Sequence, residues 1–296
     1  MAHPQQDVNA PDRSGETPLM KVIRLGHLPL ALLARPELTT ANAADNQGRT
    51  MLIQAALQGD SALVAAFLRR PDCALGAVCR QGNNALMSAA AQGHVSVVTT
   101  LVHDGRQGVN QVNREGLSAL WLAVTADHVL TVEVLLKHPA IAIAAPNARG
   151  YCVLQQAVID GQYRMVNALL AHPHMPVAQR DARGGTLLHL AATYGRSLVI
   201  RILLTRTRLD RNSRDHQGQT ALGLAAAGDH TSALTALLPC PQSELNARDR
   251  TGASALMWAA HSGSLAPVRL LLAHPTIMPN LATARGATPL LAACEQ

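Results

Sequence analysis

The sequence predicts an all-α fold in which short helix-turn-helix units stack into a solenoid. A glycine recurs at near-constant spacing, and Leu and Ala follow it at fixed distances. Hydrophobic residues make up 48% of the chain but aromatic residues only 2%, which suits helices packed at close spacing. A repeat of this size indicates a solenoid, because each unit buries its apolar face only against its neighbours.

The repeat is marked by a glycine that occurs nine times, with a first step of 33 residues and later steps of 34. These glycines are Gly15, Gly48, Gly82, Gly116, Gly150, Gly184, Gly218, Gly252 and Gly286. Leu follows four residues after every one, and Ala seven residues after all but the first. The pattern predicts a disordered lead-in at 1–14 and a single domain at 15–296. We expect about eight full repeats and a C-terminal half-repeat, in which Leu290 and Leu291 would be poorly covered.

The unit at 82–115 shows how each repeat is expected to fold. Residues 84–92 form a short helix with apolar residues at spacing i, i+3 and i+4, and a second helix begins near Val95. Gly93 lies between them and supplies a left-handed turn, for which Asp127 and Asp229 substitute in two repeats. In the first repeat the second helix is compressed around Pro29, and this unit is expected to cap the array.

The loop that leads to each repeat glycine carries a turn signal. Asp or Asn often stands three residues before the glycine, and such side chains bond to local backbone and hold a tight turn. These residues include Asp45, Asn113, Asn147, Asp181, Asp215 and Asp249.

The clearest copy of the repeat is GGTLLHLAATYG, residues 184–195. The order Gly-x-Thr-x-Leu-His-x-Ala-Ala-x-x-Gly resembles the ankyrin repeat, and the resemblance covers residues 15–296. Only this copy keeps the signature histidine, His189; elsewhere that position holds other residues. The resemblance implies projecting β-turn hairpins between the helix pairs and a protein-protein interaction scaffold without catalytic activity. The period and the His-Pro junctions resemble bacterial ankyrin proteins, some of which are effectors delivered into host cells.

A cation or histidine lies within two residues of every repeat glycine. Stacking would place these side chains in a row along the hairpins, about 8–10 Å apart. The forked guanidinium group of arginine suits carboxylates and phosphates. The alternative is that the hairpin tips are simply exposed to solvent and that this chain uses arginine as its usual cation. The row comprises Arg13, Arg49, Arg80, Arg114, Arg149, Arg183, His216, Arg250 and Arg285.

The family resemblance implies that partners contact the hairpins and the exposed side of the first helix. When the contact positions of the family are transferred to this sequence, they include Tyr151 and Tyr194, two of its three tyrosines. An exposed tyrosine is a typical anchor for a protein partner. The predicted partner-binding residues are Arg80, Arg114, Arg149, Tyr151, Arg183, Tyr194, Gln217, Arg250 and His261. Trp258 is expected to be buried, and Trp121 is either buried or in contact with a partner.

The net charge of +6 lies in one block. Residues 180–214 hold eight arginines and two acids, and the other 17 basic and 17 acidic residues cancel. This asymmetry favours a partner with an acidic surface. Arginine-mediated binding of nucleic acid or anionic lipid is an alternative, but the arginines are not interleaved with aromatic residues for base stacking. In a third interpretation the chain is the targeting domain of a larger enzyme.

The sequence offers no chemistry of its own. There is no phosphate loop, nucleophile elbow or HExxH motif, and the five cysteines form no CxxC pair. Repeat histidines stand too far apart to share a zinc ion, whose ligands lie about 2 Å from it. We therefore expect no enzyme activity, metal or cofactor. Without a signal peptide or transmembrane segment, a monomer in the cytoplasm or delivered into a host cell is expected.

Overall fold

The structure is a computed structural model that describes residues 10–25, 42–239 and 244–294. Within these residues there are sixteen α-helices and, apart from two isolated bridges, no β-structure. The all-α prediction is confirmed. The predicted second helix around Pro29, the glycine at position 26 and most of the lead-in, residues 1–9, lie outside the described residues.

The helices follow the repeat in pairs. In chain order they are α1 (Pro18–Arg24), α2 (Met51–Gln58), α3 (Ser61–Leu68), α4 (Ala85–Gln92), α5 (Val95–Asp104), α6 (Ala119–Thr125), α7 (Val129–Leu136), α8 (Val153–Asp160), α9 (Tyr163–Leu169), α10 (Leu187–Thr193), α11 (Ser197–Arg206), α12 (Ala221–Ala227), α13 (Thr231–Leu237), α14 (Ala255–His261), α15 (Leu265–Leu272) and α16 (Pro289–Cys294). From the second repeat onward, even-numbered helices are first helices of a repeat and odd-numbered helices are second helices.

The chain divides into two compact units, Met1–Ala148 and Arg149–Gln296, here called the N-terminal and C-terminal units. Each unit has two layers of helices. In the N-terminal unit α2, α4 and α6 pack in one layer and α3, α5 and α7 in the other. In the C-terminal unit the layers are α8, α10, α12, α14 and α16, and α9, α11, α13 and α15. The single domain over 15–296 stays a prediction.

The apolar repeat positions form the core of each unit. The Leu four residues after the glycine is at most 9% exposed in the first eight repeats, and burying such a side chain stabilises the fold by about 1.5–3 kcal/mol. The Ala three residues later is fully buried from the second repeat to the eighth, where its small side chain lets neighbouring helices approach closely. In α16, Leu290 is 74% exposed and Leu291 is 53% exposed, as predicted.

The first helices begin where a hydroxyl or amide side chain can cap them. In seven of them the residue two after the glycine accepts a hydrogen bond from the backbone N–H three residues later, at 2.8–3.4 Å. Such a cap is worth about 1 kcal/mol. The seven capping residues are Thr17, Thr50, Asn84, Ser118, Thr220, Ser254 and Thr288.

The turn between the two helices of a repeat is left-handed, as predicted. Gly59 has φ +80° and Gly93 has φ +74°, and both substitutes, Asp127 and Asp229, have φ +58°. A left-handed residue ends a helix because it lets the last carbonyls find partners, and Asp tolerates this conformation better than most residues.

The side chain after this turn bonds to the preceding repeat. Its nitrogen lies 2.8–3.1 Å from a last-turn carbonyl oxygen of the preceding first helix, which would otherwise lack a partner. The four bonds join His94 to Leu57, His128 to Ala91, Arg196 to Ile159 and His230 to Thr193.

The turn glycines leave room for these side chains. A Cβ built on Gly195 would lie 2.7 Å from Nδ1 of His230, closer than packing allows. Where Asp229 replaces the glycine, the following repeat carries the small Ser264 in place of histidine or arginine. At Asp229 the turn residue and the residue after the next turn are therefore matched, whereas the repeat after Asp127 carries the longer Gln162.

Gly195→Ala is expected to lower the free energy of unfolding by about 3 kcal/mol, through left-handed strain and overlap with the His230 ring. In a His230→Ser background the same change should cost only about 1–2 kcal/mol, because the strain alone remains. Urea unfolding of the four proteins measures both costs as a double-mutant cycle. Equal costs in the two backgrounds would show that the ring does not require the glycine.

Candidate functional site

Most of the loops before the first helices are tight hairpins, each held by one Asp or Asn side chain. Oδ1 of the Asp or Asn three residues before the glycine accepts hydrogen bonds from the backbone N–H groups two and four residues later. In Asp181 these bonds come from Arg183 at 2.8 Å and Gly185 at 2.7 Å. The same pair of bonds forms at Asp45, Asn113, Asp215 and Asp249. The predicted role is confirmed at these five residues, and for Asn147 it stays a prediction.

Neighbouring hairpins are joined through their backbones. The N–H two residues before a repeat glycine donates to the carbonyl one residue before the preceding repeat glycine. In the N-terminal unit Arg80 donates to Gln47 at 2.7 Å and Arg114 to Gln81 at 3.1 Å. In the C-terminal unit His216 donates to Arg183 at 2.8 Å and Arg250 to Gln217 at 3.0 Å. Five of the predicted site residues therefore have fixed backbones: Arg80, Arg114, Arg183, Gln217 and Arg250.

A second set of bonds between hairpins was not predicted from the sequence. Nη1 of Arg180 donates to the carbonyls of Gly184 at 2.5 Å and Arg214 at 3.1 Å. Arg214 makes the corresponding bonds to Gly218 and Arg248. Arg248 in turn bonds to Gly252 and Ala282. The signal that could have revealed them is an arginine four residues before three consecutive repeat glycines.

These bonds divide the basic block into two groups. Arg180 and Arg214 hold the hairpins, and Arg196 bonds to the preceding repeat. Arg206 donates from Nη1 to Asn167 Oδ1 at 2.8 Å. Within the described residues the side chains of the other four have no hydrogen-bond or ion-pair partner. These are Arg183, Arg201, Arg208 and Arg211.

Most of the predicted partner-binding residues are exposed at the hairpin tips or at the ends of first helices. Tyr194, which follows α10, is 44% exposed, and Tyr151 is half-buried. Tyr163 was not singled out from the sequence and is 40% exposed at the start of α9. The exposed predicted residues are Arg80 and Arg114 in the N-terminal unit and Arg149, Arg183, Tyr194, Gln217, Arg250 and His261 in the C-terminal unit.

In the C-terminal unit, Trp258 links a hairpin to the exposed side of α14. It is half-buried rather than fully buried, and its Nε1 donates to Asp249 Oδ2 at 2.9 Å. Its ring meets the His261 ring edge-on, with centroids 6.2 Å apart. The other tryptophan, Trp121, is only 3% exposed and donates to the Ala145 carbonyl at 3.2 Å, so it is a core residue.

A cavity of about 320 Å³ lies beside this tryptophan, between two hairpins. It is lined by His216, Gln217, Gln219, Asp249, Arg250 and Trp258, among others. Partial burial by itself would raise the pKa of Asp249, but hydrogen bonds from Thr251, Trp258 and backbone N–H groups lower it below its usual value. The aspartate is therefore ionised at neutral pH, and the hydrogen bonds within the turn stabilise its negative charge.

The signature histidine belongs to the frame rather than to the surface. His189 is only 2% exposed, and its Nδ1 accepts a hydrogen bond from Thr186 N–H at 3.1 Å. Nε2 lies 3.0 Å from the Gln219 carbonyl in the next repeat, so it carries the proton of a neutral ring. Burial lowers the pKa of His189, and the bond to Gln219 opposes this shift only in part.

The described residues contain no cluster of three or more His, Cys, Asp or Glu side chains that could hold a metal ion. Among these residues, no helix is long and apolar enough to cross a membrane. Cys152 caps α8 from a fully buried position, and burial raises the pKa of its thiol. Cys240 lies outside the described residues.

Comparison with known families agrees with this geometry. The family model described as ankyrin repeats (3 copies) matches residues 31–111, 56–149, 86–180, 154–249 and 224–296. The chain belongs to the ankyrin-repeat family. Ankyrin repeats are generally protein-protein interaction modules and typically non-catalytic. No curated protein matches the chain.

Acidification is expected to destabilise the fold through His189. Because its pKa is lower in the folded chain, the neutral ring contributes stability that is complete above pH 6.5, the usual value, and is lost as pH falls. The loss cannot exceed about 1.4 kcal/mol per pH unit for this one proton. Melting temperatures at neutral and mildly acidic pH would measure it.

His189→Gln is the matched control, because Gln155 already makes the corresponding bond to the Cys152 N–H at 2.9 Å in α8. This variant should lose less stability on acidification than the parent chain. If both lose the same amount, His189 is not the group that titrates.

Proposed function

We propose that the chain is a non-catalytic scaffold that binds a protein partner with an acidic surface. The contact would be made by the hairpin tips and the exposed ends of first helices in the C-terminal unit. One observation carries the proposal: Arg183 and Arg250 expose their guanidinium groups from hairpins whose backbones are already fixed. A fixed backbone favours binding, because little conformational entropy is then lost when a partner docks.

The acids next to these arginines do not neutralise them. Asp181 and Asp249 direct Oδ1 to backbone N–H groups of their own turns, and neither forms an ion pair with Arg183 or Arg250 in the described residues. In the N-terminal unit one hairpin arginine, Arg49, does pair with its neighbouring acid, Asp45, at 2.7 Å. The C-terminal unit is the favoured contact surface because it also contains the basic block at residues 180–214.

The surface also offers an anchor and a recess. Tyr194 provides a large, partly exposed aromatic ring, of the kind that supplies binding energy at interfaces. The cavity beside Trp258 could receive an acidic side chain between Arg250 and His216, where guanidinium and carboxylate can form two parallel hydrogen bonds. The proposed role requires no cofactor and is compatible with a monomer.

The resemblance to bacterial ankyrin proteins extends the proposal to an adaptor or an effector delivered into a host cell. That extension depends on the 34-residue period and the His-Pro junctions alone.

Selection of a displayed random-peptide library on the immobilised full chain tests the proposed surface. We expect the enriched peptides to be rich in Asp and Glu. Combining Arg183→Glu with Tyr194→Ala should weaken the best peptide by at least about tenfold, because both residues are expected to be energetic centres of the contact. Equilibrium titration with the labelled peptide gives the dissociation constants.

Arg201→Glu is the matched control, since Arg201 is also exposed but lies on a second helix, in the other layer of the same unit. It should leave the affinity nearly unchanged. Peptides without acidic residues, or equal affinities for the parent and the Arg183–Tyr194 double variant, would rule out this surface.

A further inference from the structure

The second-helix layer of the C-terminal unit presents a face that the proposed function does not use. Helices α9, α11, α13 and α15 lie side by side in this order. Residues such as Leu169, Leu203 and Leu271 are fully buried and face the core, which leaves one side of each helix exposed.

This exposed face is positively charged. The four helices contain no Asp or Glu, and all four of their arginines are exposed. These are Arg164, Arg201, Arg206 and Arg269. The helix dipoles do not account for such a set, because two of the arginines lie in mid-helix or near the N-terminal end.

The N-terminal unit provides an internal comparison at the same repeat positions. From its second repeat to its fourth, the residues at positions 14 and 17 after the glycine include no cation; they are Ala62, Ala65, Ser96, Thr99, Leu130 and Glu133. In the C-terminal unit these positions hold three arginines and no acid; they are Arg164, Asn167, Leu198, Arg201, Ser232, Thr235, Ala266 and Arg269. The repeat frame therefore does not require the charge, since the same fold forms without it.

Large apolar side chains lie among these arginines. Leu198 is 54% exposed and Leu265 is 60% exposed, each in the first turn of its helix. Tyr163 is 40% exposed, with the guanidinium carbon of Arg164 5.8 Å from its ring centre. The face thus combines cations with aliphatic and tyrosine side chains, as surfaces that bind at a membrane interface do.

We propose that this face binds the surface of an anionic lipid bilayer. Arginine can form paired hydrogen bonds with lipid phosphates, and the leucines can enter the boundary between headgroups and acyl chains. The cations and leucines lie on three of the four adjacent helices, α9, α11 and α15, and α13 between them exposes Ser232 and Thr235. The four helices span about 30 Å at the usual helix spacing, which suits an extended surface. Single-stranded nucleic acid would need several aromatic platforms, and the exposed face of these helices has one, Tyr163.

Sedimentation of the full chain with vesicles tests the proposal. We expect binding to vesicles of equal parts phosphatidylserine and phosphatidylcholine at about 100 mM salt, and none to phosphatidylcholine alone. Each arginine near the surface contributes about fivefold to the affinity. Combining Arg164→Glu, Arg201→Glu and Arg269→Glu should therefore weaken binding by at least about a hundredfold. Circular dichroism verifies that the variant is folded.

The matched control combines Arg183→Glu, Arg250→Glu and Arg285→Glu, which changes the net charge equally but on the hairpins. It should reduce vesicle binding by less than about fivefold, because charges more than about 10 Å from the bilayer are screened. It should also lose the acidic peptides, whereas the second-helix variant should keep them, so the two proposals can fail separately.

Three results would overturn the proposal: no binding of the parent chain to the anionic vesicles, equal losses of vesicle binding in the two triple variants, or binding of a single-stranded RNA but not of vesicles.

A leucine variant tests the apolar part of the contact, which does not depend on charge. Leu198→Ser should weaken vesicle binding at low and high salt alike, because insertion of an apolar side chain is not screened. If its effect vanishes at either salt concentration, the leucine does not enter the bilayer.

Discussion

The stacking of the short helices depends on a bond from the side chain after the turn to the preceding repeat, which forms in four repeats. A short helix leaves its last carbonyls without partners, and first helices of six to eight residues have few internal hydrogen bonds. A side chain of the next repeat, such as His94 or His230, supplies the missing donor. It can reach the carbonyl only because the turn it crosses has no Cβ. The turn glycine thus affects the backbone conformation, the end of the first helix and the stacking of neighbouring repeats.

The frame of the protein was largely predictable from the sequence, because it repeats. The period located the helix pairs, and the left-handed glycines with their two aspartate substitutes followed from the conformation that this turn requires. The buried Leu and Ala positions and the turn-holding Asp and Asn residues were recognised in the same way. Local chemistry that recurs nine times is a stronger signal than any one copy.

Contacts that join one repeat to the next could not be predicted in the same way. Arg180 and Arg214 counted toward a basic block, yet both bond to hairpin carbonyls of the next repeat. Whether a cation bonds to backbone or faces solvent depends on the distance to a neighbouring repeat, which the period does not specify. The half-buried position of Trp258 also depends on a contact between a hairpin and a helix, through Asp249. The partner-binding residues stay a prediction for this reason.

The matched pairs at the turns make the repeats non-interchangeable. In the N-terminal unit, removal of one whole repeat could bring Gly59 against His128 in place of His94. The turn glycine would then still face a histidine. In the C-terminal unit, removal of the repeat with Asp229 would bring Gly195 against Ser264 and leave the Thr193 carbonyl without its histidine. Gene duplication or loss of single units is therefore neutral at some junctions and costly at others. The order of the repeats in this chain is therefore constrained by the residues that meet at each junction.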